Sequence, residues 1–212
     1  MKVAPSILSA DFSQLEESIN RTNSASILHI DIMDGVFVPN ISFGPMVQKS
    51  IRDKFSDKIF DTHLMIIDPI KYIDSFAKAG SDYITFHIEA KSNIDETIDL
   101  IHSYGIKAGI SIKPNTNPNV LIPYLKKLDL VLVMSVEPGF GGQKFMSNSI
   151  DKIKWLDNYR RENNLSYLIS VDGGINSETY KYVEDANCDI AVMGSFIFKQ
   201  ESPNEWIKKI EK

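Results

Sequence analysis

The amino-acid sequence predicts a (β/α)₈ TIM barrel, an α/β fold, on three observations. Eight short apolar runs recur along the chain, amphipathic stretches separate them, and polar residues fall toward the carboxyl ends of the runs. The runs span residues 3–8, 27–33, 59–66, 83–88, 107–112, 130–136, 167–171 and 190–193. Most are continuous hydrophobic stretches, as expected of parallel strands buried on both faces. Between them, residues 11–22, 69–79 and 94–103 carry apolar side chains at helical spacing, and Gly80 and Gly105 stand where the second and third of these helices should end. Eight strands without a Pro/Ser-rich linker favour a closed barrel over a doubly wound sheet and predict one domain, residues 1–212.

Composition narrows the partners. The 212 residues are 43% hydrophobic and 24% charged with a formal net charge of -5, an ordinary globular balance with no basic stripe. Nucleic acid is therefore an unexpected partner, and an anionic ligand would need its charge met locally, by backbone amides or a metal. No apolar run approaches the roughly 20 residues of a bilayer span. The lone Cys188 and the short apolar run after Met1 predict a reducing, cytoplasmic setting, with Cys188 a small buried hydrophobe.

In such a barrel the chemistry belongs at the carboxyl ends of the strands. His29 and Asp31 are expected to close the second strand, His63 the third and His87 the fourth, with Asp172 following the seventh. Three of the four histidines thus face one rim, while His102 reads as a solvated residue near a helix end. In His29-Ile30-Asp31-Ile32-Met33, alternation throws His29, Asp31 and Met33 onto one face. Either histidine alone would read as a core residue. Together with Asp31 and Asp172 they suit one divalent ion, and zinc, iron, manganese and cobalt all remain open. A carboxylate in an apolar strand also needs a partner, because burying it alone is costly. Met33 and Met65 could line such a centre as a soft wall.

Glycine clusters follow three late strands: Gly139-Phe140-Gly141-Gly142, Gly173-Gly174 and Gly194-Ser195. Loops after strands seven and eight commonly present amides to a phosphate, so Gly173, Gly174, Gly194 and Ser195 form the expected anion site. The segment 139–143, with Phe140, is expected to close over substrate.

These segments together resemble the ribulose-phosphate 3-epimerase family over essentially the whole chain. The resemblance lies in residues 4–11, in 29–40 (HIDIMDGVFVPN), in 133–143 (VMSVEPGFGGQ) and in 171–175 (VDGGI), in the family's order. It implies a barrel of the ribulose-phosphate-binding type and interconversion of D-ribulose 5-phosphate and D-xylulose 5-phosphate in the pentose phosphate pathway. It also implies metal ligation by His29, Asp31, His63 and Asp172, with Asp31 and Asp172 as the acid–base pair acting through an enediolate stabilised by the ion. Ser6, His63, Asp172, Gly139, Phe140, Gly141, Gly142, Gly173, Gly174, Gly194 and Ser195 become substrate contacts. Met33, Met65 and Met134 become the pocket lining, and a homo-oligomer is implied.

The alternatives are a 3-epimerase of D-allulose 6-phosphate, a metal-free phosphate-binding barrel enzyme and a noncatalytic sugar-phosphate-binding protein. The metal-free enzyme would leave His29 and His63 without a role, and the noncatalytic protein would be expected to lack an acid–base residue. The chain departs from the family at Ser135, where many relatives have threonine, and in a short end after Trp206. Neither departure is expected to touch the catalytic positions.

Overall fold

A computed structural model describes residues Met1–Lys212. Every expected run forms a strand: β1 (Lys2–Pro5), β2 (Ile27–Met33), β3 (Ile59–Met65), β4 (Tyr83–His87), β5 (Lys107–Ile112), β6 (Leu130–Met134), β7 (Leu168–Asp172) and β8 (Ile190–Met193). All pairs are parallel, in the order β1-β8-β7-β6-β5-β4-β3-β2. The ring closes between β1 and β2 through an isolated parallel bridge from Ser6 to His29.

The helices are α1 (Leu15–Asn20), α2 (Pro45–Arg52), α3 (Ile73–Lys78), α4 (Ile94–Ser103), α5 (Asn148–Glu162), α6 (Thr179–Glu184), α7 (Ser195–Phe198) and α8 (Pro203–Ile210). Short 3₁₀ turns lead into α1 and α3, so the helices expected at 11–22 and 69–79 each begin as a tighter turn. The β5–β6 crossover holds only a 3₁₀ turn, Pro118–Leu121. Pro114, Pro118 and Pro123 explain it, since each removes an amide donor and disfavours helix in the residue before it. The short chain end still forms α8, which buries Ile207 and Ile210.

Alternation along the strands sorts side chains into two cores. Outward residues such as Leu28, Ile30, Phe60, Leu64, Ile110 and Val131 meet the helices in the main apolar cluster. Ala4, Leu130, Leu132, Met134 and Val192 form a second cluster. The residues at even spacing from these along each strand fill the barrel interior, and on β2, β3 and β4 that series is polar: His29, Asp31, Asp61, His63, Thr85 and His87, all buried. That polarity positions the site.

Candidate active site

His29 and Asp31 are two residues apart on β2, and their register partners on β3 are Asp61 and His63. Alternation therefore packs two imidazoles and two carboxylates into one patch. His29 Nε2 is 3.3 Å and His63 Nδ1 is 3.1 Å from Asp31 Oδ1, and the two ring nitrogens are 3.4 Å apart. With Asp172, the four residues offer ligand atoms all within 4.8 Å of one another. Ligands at about 2.0–2.1 Å around a tetrahedral ion are about 3.3–3.4 Å apart, so the donor set fits a divalent metal.

Electrostatics agree with that fit. Burial by itself would lower the pKa of His29, but the charges of Asp31 and Asp61 outweigh it and hold the imidazole well above its ordinary value. Burial would raise Asp31, and the His29 and His63 rings reverse the sign, holding that carboxyl well below the usual range. Asp172 has no such partner; burial first and the Asp31 charge second push it up to about 6. A cluster that draws protons onto an imidazole and a carboxyl is short of positive charge, which a divalent cation supplies.

A cavity of about 480 Å³ opens above this cluster at the carboxyl ends of the strands. Ser6, Asp31, Met33, Met65, Met134 and Asp172 line it, as do Gly139, Phe140, Gly141, Gly142, Gly173, Gly174, Gly194 and Ser195. Of the expected site residues, only His29 and His63 stay off its wall; both are fully buried beneath the floor. His29 is the third residue of seven in β2 and so lies deeper than a strand end, whereas Asp172 ends β7 and does not follow it.

The glycine loops crowd the opposite wall. A Cβ on Gly174, whose φ is +66°, would sit 2.5 Å from the Phe145 amide nitrogen, and one on Gly194 would sit 2.6 Å from Ser9 Oγ. The amide N–H groups of Gly174, Gly194 and Ser195 make no hydrogen bond within the chain and are free for a ligand. The segment 139–143 is tied at both ends. Asn40 Nδ2 donates to Gly139 O at 2.9 Å, and Gln143 Nε2 donates to Glu137 O at 2.6 Å, with Phe140 O also within 2.8 Å.

Several contacts within the site were not expected from sequence. Asp61 accepts from His29 Nδ1 at 2.8 Å, and Ser6 Oγ donates to Asp31 Oδ2 at 2.5 Å. His87, expected at the rim without a role, joins His63 by their Nε2 atoms at 2.9 Å. The signal for Asp61 was present: it lies two residues before His63, a carboxylate in an apolar strand. Ser135 corrects another expectation, since its hydroxyl lies 2.9 Å from Asp172 O and 2.6 Å from Gly173 O and so buttresses a catalytic candidate. His102 pairs with Asp129 at 2.9 Å, far from this rim.

Fold and site together define a (β/α)₈ barrel with a four-residue ligand set, able to hold a metal ion, at the carboxyl ends of its strands. Residues 2–198 match the model of the ribulose-phosphate 3 epimerase family, and the chain belongs to that family. It is 44% identical over 213 residues to the ribulose-phosphate 3-epimerase of Bacillus subtilis (strain 168), covering 99% of this chain and 98% of that protein. It is 40% identical over 210 residues to that of Schizosaccharomyces pombe (strain 972 / ATCC 24843), covering 97% and 90%. Among solved structures, KGPDC from Streptococcus mutans superposes with a TM-score of 0.74 at 14% identity, over 99% of this chain and 95% of that one, a likeness of fold alone.

Proposed function

We propose that the chain interconverts D-ribulose 5-phosphate and D-xylulose 5-phosphate, with Asp31 and Asp172 as the acid–base pair. The observation that carries this reading is a pair of carboxyls, the buried Asp31 on β2 and the half-buried Asp172 on β7, whose proton affinities are shifted in opposite directions and which face one cavity. Epimerisation beside a carbonyl removes a proton from one face of a carbon and returns one to the other, so two groups are needed. Asp31, held ionised, is prepared to accept a proton; Asp172, whose pKa is pushed up to about 6, binds a proton more tightly than an ordinary carboxyl and is the better placed of the two to carry and return one, and the roles exchange with direction. Ser6 keeps the Asp31 carboxylate turned toward the cavity.

His29, Asp31, His63 and Asp172 would hold the ion. A divalent cation there supplies Lewis-acid stabilisation of the negative charge that develops as the substrate proton leaves. The free amides of Gly174, Gly194 and Ser195 would receive the phosphate, and residues 139–143, with the exposed Phe140, would cover the bound sugar and exclude water. Met33, Met65 and Met134 provide a weakly solvating wall around the reacting carbon. Zinc, iron, manganese and cobalt all suit the ligand set. The same reading carries cytoplasmic location and self-assembly, supported by the buried free Cys188 and by exposed Val36 and Ile41 between β2 and α2 and Met46 in the first turn of α2. No helix is long and apolar enough to cross a membrane.

The test is metal analysis of the purified protein beside turnover assays on five- and six-carbon ketose phosphates. Turnover of D-ribulose 5-phosphate well above D-allulose 6-phosphate is expected. Preference for the six-carbon substrate, or binding without turnover, would overturn the assignment.

A further inference from the structure

We propose that His87 and Glu89 are positioning residues that fix the tautomer and aim of His63, through a carboxylate–imidazole–imidazole chain reaching the metal cluster from the loop after β4. The inference rests on the metal-site reading above and deepens it. Its starting point is which ring nitrogen of His63 faces which neighbour. Nδ1 turns to Asp31 Oδ1 at 3.1 Å and to His29 Nε2 at 3.4 Å, and so toward the ligand cluster. Nε2 turns away, to His87 Nε2 at 2.9 Å. Beyond it, His87 Nδ1 meets Glu89 Oε2 at 3.2 Å.

Two ring nitrogens at that separation share one proton, and the surroundings decide where it sits. With an ion held at His63 Nδ1, a proton on His87 Nε2 would leave His63 without any proton, as an imidazolate. It would also turn a His87 Nδ1 lone pair against the Glu89 carboxylate. On His63 Nε2, both conflicts vanish. His63 then donates to His87, His87 donates through Nδ1 to Glu89, and His63 Nδ1 presents its lone pair to the cluster. Hydrogen bonding of this kind at the non-ligating nitrogen sets the orientation and basicity of a metal-bound histidine.

The far end of the chain is anchored, so the orientation propagates inward. Glu89 Oε1 accepts the Lys113 N–H at 2.9 Å and the Thr116 hydroxyl, which ties the carboxylate to the end of β5. His29 has a one-step counterpart in Asp61 on its Nδ1. At its non-ligating Nε2, His63 reaches a carboxylate only through a second imidazole. His87 also packs as an aromatic filler, its ring centroid 4.8 Å from that of Phe37 and 5.0 Å from that of His63. A benzyl ring could fill that space equally well but could not accept the proton of His63.

The experiment uses metal-free wild type, His87→Phe, His87→Gln and Glu89→Gln, each titrated with Co(II) against a chromophoric chelator, with the d–d absorption recorded. His87→Phe should weaken Co(II) binding by about 10–100-fold and shift the band. His87→Gln, whose amide oxygen can accept from His63, should recover most of the affinity, and Glu89→Gln should lose less than His87→Phe. Thermal melts of the metal-free proteins separate folding from metal binding. Wild-type affinity and spectrum in folded His87→Phe would overturn the positioning role while leaving the metal site standing. Should that variant fail to fold, wild-type behaviour of Glu89→Gln, at a partly exposed position, would overturn it. Failure of the wild type to take up Co(II) would overturn both this role and the metal reading.

Discussion

The barrel carries a cavity at each end, about 480 Å³ at the carboxyl ends of the strands and about 450 Å³ at the amino ends. Volume does not distinguish them; chemistry does. The mouth brings Asp31 and Asp172 together above buried imidazoles and opposite free amides. The base is walled mainly by Ile27, Ile59, Tyr83, Leu130, Leu168 and Ile190, with the Asp61 carboxylate that supports His29 among them, and is edged by the Lys2–Glu211 ion pair. Side chains on the same strands thus gather the candidate reactive groups at one end and mainly pack at the other, as parallel barrels generally divide them.

Substitutions at the two ends should accordingly separate activity from stability. The largest effect is expected at the mouth: Asp31→Asn and Asp172→Asn should each lower kcat by about 10³-fold or more with little change in melting temperature. Near-normal turnover in either metal-loaded variant would break the two-acid scheme. At the base, Leu130→Ala should cost about 2–4 kcal/mol in denaturant unfolding, because the side chain is fully buried, and leave kcat per folded molecule unchanged. A large loss of kcat there would mean that the base takes part in the chemistry.

Gly174→Ala lies between these cases. Its positive φ and the 2.5 Å approach to Phe145 should destabilise the fold by about 1–2 kcal/mol. They should also raise KM for a phosphorylated ketose more than they lower kcat, which steady-state kinetics would reveal. The smallest effect is expected for Lys2→Met, whose side chain is more than half exposed and whose partner Glu211 keeps its bond from the Val3 N–H: within about 0.5 kcal/mol in unfolding, and no kinetic change.

Legibility in the sequence followed the same division. Strands β2, β5 and β8 begin and end where the apolar runs do, because continuous hydrophobic runs bounded by turn residues carry their own limits. The β5–β6 crossover was less legible, since the apolar residues of 120–128 follow Pro114 and Pro118 and are interrupted by Pro123, which together prevent a regular helix. In the site, residue types and alternation brought out His29, Asp31, His63 and Asp172, while the roles of Ser6 and Met134 came only from family resemblance. Asp61 was within reach of the rule that a buried carboxylate needs a partner. The contacts of Glu89 with Lys113 and Thr116 were not, because they depend on how two loops meet in space. Ser135 was hidden similarly: a hydroxyl in a hydrophobic run gives no sign that it will brace the carbonyls after β7.

The seam between β1 and β2 has a mechanical consequence. Seven strand junctions are full ladders, whereas this one is a single bridge from Ser6 to His29, reinforced by the Ser6 hydroxyl on Asp31. The stitch that closes the ring is therefore made of the residues that form the site. Strain at this junction is transmitted directly to the ligand cluster, and a barrel that gapes there loses its reactive geometry before it loses its shape.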